Sequence, residues 1–137
     1  ELPEVQTITT DLNKYLKNTI IKEIDIEYGY ETQPNNDFFT QKVINQKIVG
    51  VSRIAKNIKI ELGNDFHILV HLAMTGQLLI RRQNQPKDRF QKVAVTFQKP
   101  DNPTQKNNGY ELRFCDMRMF GKMVLLQKKD LSKFIGK

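Results

Sequence analysis

Apolar residues at Val5, Ile8, Leu12, Tyr15 and Leu16 recur at the three-to-four-residue spacing of a single helical face. Pro3 stands where a first helical turn tolerates it, because the N–H that proline lacks has no partner there. The spacing predicts an amphipathic helix of about four turns at the start of the chain. The period then drops to two. Ile24, Ile26 and Tyr28 alternate with polar or acidic residues, the pattern of a half-buried strand. A loop rich in turn formers runs from Glu31 to Asp37, and Asp37 is placed to cap a short helix carrying Phe38, Phe39, Val43 and Ile44. Strand-like alternation returns from Lys47 to Leu62, and the turn formers Gly63, Asn64 and Asp65 that follow suggest a hairpin. His67 to Ile80 is strongly apolar around Gly76, and Val93, Val95 and Phe97 alternate ahead of a turn-rich linker, Gln98 to Gly109. A last strand pair, Tyr110 to Phe114 and Lys122 to Leu126, closes the domain.

One N-terminal helix, one short helix and seven or eight short strands make an α+β domain dominated by antiparallel sheet, a β-sandwich of about eight strands. The length of 137 residues suits one domain with a core of its own. No apolar run approaches the ~18 residues of a membrane span, and the opening ELPEVQT lacks the basic and apolar regions of a signal peptide. The expectation is a cytoplasmic protein with no membrane partner. Cys115 is the only cysteine, so this sequence forms no internal disulfide and no cysteine-rich zinc site; no metal is expected in it, and Cys115 reads as a small apolar residue. Charge changes the picture more. Against 15 acidic residues stand 22 Lys and Arg, a formal net charge of +7, which favours a polyanionic partner such as nucleic acid. No Ser/His/Asp spacing, phosphate loop or metal-ligand pattern is present.

Four separated segments carry more specific chemistry. Glu1-Leu2-Pro3-Glu4-Val5 sets two carboxylates at a helix N-terminus, where they suit the helix dipole. In Val51 to Asn57, Lys56 follows Ile54 and precedes Ile58 in the alternation, either as an ammonium on an otherwise apolar face or as an edge-strand lysine that snorkels. Val70 to Leu78 places His71 and Met74 in an apolar stretch, where both also read as core residues. Leu112 to Lys122 carries Arg118 and Phe120, which taken singly are a surface charge and a core aromatic.

Together and in this order, the four segments resemble the formamidopyrimidine-DNA glycosylase family over residues 1 to 122. The resemblance implies a base-excision repair enzyme, a glycosylase and AP lyase that flips oxidised purines such as 8-oxoguanine and formamidopyrimidines out of double-stranded DNA. It implies catalytic roles for Glu1, Glu4 and Lys56. Glu1 matches the acid that assists sugar-ring opening, Glu4 a second acid packed beside the site, and Lys56 a phosphate grip that supports strand cleavage. It implies DNA-binding roles for His71 on a phosphate, Met74 filling the hole left by the extruded nucleotide, Arg118 meeting the orphaned cytosine and Phe120 wedged beside it. The family's nucleophile is the secondary amine of a proline, expected immediately before Glu1 and absent from this sequence; a terminal amine, with a pKa of about 8, keeps more neutral nucleophile than a lysine does. Ala55 and Ala73 stand where the family has glycine, Met117 replaces a frequent proline, and Met119 a basic residue.

The family continues with a helix-two-turn-helix region and a zinc finger, both absent here. Residues 1–137 therefore correspond to the N-terminal catalytic domain, zinc is expected only in the missing C-terminal part, and the fragment is expected to be monomeric and inactive alone. Two alternatives are a non-catalytic DNA-binding module on the same fold and the related branch that prefers oxidised pyrimidines. The second usually has glycine where Leu2 stands and lacks the His71 to Met74 pattern.

Overall fold

The computed structural model describes residues 2–99, 109–117 and 121–132, with side chains from Ile8 onward. Helix α1 (Leu2–Leu16) ends where Thr19 returns its N–H and its hydroxyl to the carbonyl of Leu16, and Asn18 takes a left-handed φ of 67°. Strand β1 (Ile20–Ile26) follows, then α2 (Asn36–Val43). The cap of α2 is Asn35, whose side chain accepts the N–H of Phe38 at 2.8 Å, and not Asp37 as the sequence suggested. Asp37 sits inside the first turn, where its charge complements the exposed N–H groups. Asn36 adds a second anchor, its side-chain oxygen taking the N–H and hydroxyl of Thr32.

Seven more strands form the expected sandwich: β2 (Ile48–Ile54), β3 (Asn57–Leu62), β4 (Phe66–His71), β5 (Gly76–Arg82), β6 (Gln91–Gln98), β7 (Tyr110–Asp116) and β8 (Lys122–Gln127), eight among the described residues. They form two antiparallel four-stranded sheets, ordered β1-β6-β7-β5 and β2-β3-β4-β8. Their facing sides share one apolar cluster that includes Ile21, Ile58, Ile60, Ile68, Phe114 and Met123, all nearly inaccessible to solvent. Burying each such side chain contributes about 1.5–3 kcal/mol. Helix α1 lies along β2, buries Leu12 and Leu16, and joins the strand through Asn13, whose Oδ1 accepts the N–H of Val51 at 2.8 Å.

Two expectations about strands are corrected. The alternation from Lys47 to Leu62 is not one strand, because Ala55 and Lys56 form a two-residue turn between β2 and β3. Residues opposite one another share a face, and Arg53 opposes Ile58 whereas Ile54 opposes Asn57, so Ile54 and Ile58 lie on opposite faces. The proposed final pair is also wrong: β7 lies between β5 and β6 in one sheet, while β8 pairs with β4 in the other. Two of the chain's changes of sheet, from β4 to β5 and from β7 to β8, thus fall at the same end of the sandwich. His71 opposes Lys122, and Gly76 opposes Asp116, so the two crossovers join neighbouring strand ends.

Candidate functional site

At that end lies an open cleft of about 850 Å³, with Ile8, Lys56, His71, Met74, Phe90 and Asp116 among the residues lining it. Each arrives from a different piece of chain. Ile8 comes from α1, one turn beyond Glu4, and Lys56 from the β2–β3 turn. Asn57 pairs with His71, which brings that turn to the tip of β4. Met74 crowns the β4–β5 crossover with 92% of its surface exposed, so the plain reading of Met74 as a core residue fails. His71 and Lys56 are exposed as well, the first at a strand end and the second in a turn rather than on a strand face. Three residues picked from two separate sequence segments therefore meet in one place. Glu1, Arg118 and Phe120 lie outside the described residues, as does the side chain of Glu4.

The two departures from glycine acquire a physical meaning. Ala55 has φ 54° and Ala73 φ 57°, both left-handed, so the backbone keeps a conformation that suits glycine while carrying a methyl group. In the β4–β5 crossover, the N–H of Gly76 donates to the carbonyl of Leu72 at 2.8 Å and closes a tight turn beneath Met74. A Cβ on Gly76 would lie 2.4 Å from that carbonyl oxygen, so no side chain fits there.

Several groups outside the predicted site residues organise the cleft floor. Asp116, at the end of β7, is fully buried. Its carboxylate accepts the hydroxyl of Thr75 at 2.5 Å through Oδ1 and the N–H of Gly121 at 2.5 Å through Oδ2. Its own N–H donates to the carbonyl of Phe90 at 3.0 Å. Gly121 is also held from the other side, because the Tyr30 hydroxyl donates to its carbonyl at 3.0 Å. Burial, with the Asp116 carboxylate adding to it, pushes the Tyr30 phenol up to about 12, so this donor keeps its proton at neutral pH.

Arg113 explains how the segment before β6 reaches the cleft. Leu112 and Phe114 belong to the core, and Arg113 between them serves the opposite face. There its guanidinium donates to Glu111 at 2.6 Å, to Asp88 at 2.9 Å and to the carbonyls of Gln85 and Pro86 at 2.8 and 2.7 Å. Burial works against its charge, but the bonds to Asp88 and Glu111 outweigh it and raise its pKa. The anchored loop presents Arg89 and Phe90 to the cleft, with the guanidinium 4.8 Å from the ring centre. Cys115, on the cleft wall, is buried, and burial raises its thiol pKa, in keeping with its reading as a small apolar residue. Among the described residues no group of three or more His, Cys, Asp or Glu could hold a metal ion, and no helix is long and apolar enough to cross a membrane.

The family model for the formamidopyrimidine-DNA glycosylase N-terminal domain matches residues 1–123. The formamidopyrimidine-DNA glycosylases of Herpetosiphon aurantiacus and Protochlamydia amoebophila are each 32% identical to the chain, over 96% and 99% of it but only 46% of their own lengths. That of Lactobacillus acidophilus is 31% identical over 92% of the chain and 42% of its own length. The chain spans about half the length of the curated relatives it matches. Among solved structures, the Lactococcus lactis protein in complex with a FAPY-dG-containing DNA superposes with a TM-score of 0.86 at 24% identity, over 98% of this chain and 47% of that one. The same protein bound non-covalently to an AP-site-containing DNA gives 0.84 at 24% identity, over 98% of this chain and 48% of that one. At this identity the likeness establishes a common fold.

Proposed function

The chain belongs to the formamidopyrimidine-DNA glycosylase family, and we propose that it forms the N-terminal catalytic domain of a DNA glycosylase and AP lyase that removes oxidised purines from double-stranded DNA. One observation carries the reading: two basic side chains, Lys56 and His71, and the exposed Met74 converge on one cleft at the end of a sandwich whose sequence carries +7. Basic groups at a cleft rim hold phosphates, while an unbranched apolar side chain standing in solvent fits the gap left in a base stack. Extruding a nucleotide costs a few kcal/mol, and Met74 entering the vacated space offsets part of that loss.

On this reading Arg118 meets the orphaned cytosine, with Phe120 beside it, and the carboxyl of Glu1 assists sugar-ring opening next to Glu4. An amine supplied by a proline immediately ahead of Glu1 forms its bond to the sugar carbon as the bond to the damaged base breaks. The resulting iminium ion makes the neighbouring C–H acidic; loss of that proton expels one sugar phosphate, and loss of a second proton from the conjugated product expels the other, with Lys56 placed to support the cleavage. Zinc belongs to a C-terminal segment beyond this sequence and enters none of these steps.

The test is mass spectrometry of the native gene product followed by borohydride trapping on a duplex carrying 8-oxoguanine opposite cytosine. A trapped adduct on a leading proline is the expected result. A native product that begins at Glu1 and gives no adduct overturns the catalytic reading in favour of a DNA-binding module on the same fold.

A further inference from the structure

The turn that carries Met74 is fixed at both of its ends, and the two fastenings differ in kind. The Leu72–Gly76 bond closes it through the main chain, whereas Thr75 ties it to the floor of the cleft through the buried carboxylate of Asp116. A carboxylate has only acceptors, and here the hydroxyl of Thr75 and the N–H of Gly121 reach its two oxygens from the two crossovers. The core does not require an ionisable group at the end of β7, and burying one is unfavourable unless its bonds are made. Nothing in the fold of β5 calls for a hydroxyl at position 75 either. From the Thr75–Asp116–Gly121 bridge we infer that Asp116 and Thr75 are positioning residues. They hold the Met74 turn upright and couple it to the β7–β8 crossover, so that the methionine meets the duplex already aimed.

The inference rests on the reading of the cleft as a DNA-lesion site. Met74 itself has 92% of its surface exposed, so little packing sets its direction; the backbone below it must do so, and that backbone includes the left-handed Ala73. A bridge to a charged acceptor is strong enough to matter, since losing one such bond corresponds to about a tenfold change in an equilibrium.

The experiment uses the full native gene product and two 25-mer duplexes (about two helical turns), one undamaged and one carrying a tetrahydrofuran abasic analogue opposite cytosine with 2-aminopurine as its neighbour. Thr75→Val deletes the hydroxyl and keeps the side-chain shape, Thr75→Ala deletes it without bulk, and Thr75→Ser restores it. The expected result is that both deletions weaken binding to the abasic duplex about tenfold and lower the 2-aminopurine signal, that undamaged duplex binding changes less than about twofold, and that Thr75→Ser behaves as wild type. In a Met74→Ala background the same deletions are expected to add nothing. Equal weakening on both duplexes, full additivity with Met74→Ala, or no effect of either deletion overturns the positioning role. A wild-type protein that binds both duplexes alike overturns the functional reading itself, and this inference with it.

Discussion

Ala55 and Ala73 show how a single methyl group bears on this fold. Each holds a left-handed φ, which an L-residue occupies at a cost of about 1–2 kcal/mol relative to its preferred regions. Glycine loses more chain entropy on folding, so Ala55→Gly and Ala73→Gly are each expected to raise stability by only about 1 kcal/mol, read as a higher urea midpoint at unchanged slope. His67 supplies a second prediction. Its ring is buried in β4 with no partner for Nδ1, and burial, helped by Lys59, pulls its pKa below the ordinary 6.5. The unfolded chain therefore takes up a proton first as pH falls. Stability should be complete above about 6.5 and decline as pH drops through that value toward the folded pKa, a slope that urea titrations at several pH values will show and that His67→Gln should flatten. Residue identity alone made neither effect legible. A positive φ leaves no mark on an alanine, and one histidine of this sequence proved buried while the other, His71, which was chosen as a contact, proved exposed.

Elements were legible wherever their signal was periodic. The opening helix, β6 and the short helix follow from spacing, because one face of each meets the core; β1 follows through Ile24 and Ile26, whereas Tyr28, expected to continue it, lies beyond its end in an exposed turn. Pairing was not, since which strands lie side by side depends on partners far apart in sequence, and β7 and β8 were assigned to each other when each pairs elsewhere. The Ala55–Lys56 turn was hidden for another reason: alternation ran on across it, although the hairpin had already reversed which parity faces inward. Arg113 was missed because strand period marks only which face a residue serves, not that a loop will fold back and enclose it. Its removal yields a prediction at this scale. Arg113→Met should cost about 3 kcal/mol, because Glu111 loses its guanidinium, Asp88 keeps only Arg81, and the loop at 85–88 loses its anchor; denaturant titration measures the loss, and limited proteolysis should find new cleavage in that loop.

At the scale of the whole molecule, the sandwich gathers at one end what the sequence spreads from residue 8 to residue 121. A resemblance in four ordered segments indicated which residues belong together, and the sheet order supplies the reason: the β2–β3 turn and the β4–β5 and β7–β8 crossovers emerge on the same side. If that side faces a phosphate backbone, Lys56→Ala should weaken DNA binding across sequences and reduce the slope of log affinity against log salt by about one, measurable by fluorescence anisotropy between 50 and 200 mM salt. A mutation that left the slope untouched would remove Lys56 from the phosphate contacts. The change of sheet between β4 and β5 has a mechanical consequence too. A side chain driven into a stack of bases is pushed back, and from the Met74 turn that reaction force passes down β4 into one sheet and down β5 into the other. Both strands are loaded lengthwise, so the ladder bonds resist together in shear instead of peeling apart singly. On the proposed function, a Met74 wedge would thus be braced against recoil by the two sheets that β4 and β5 belong to.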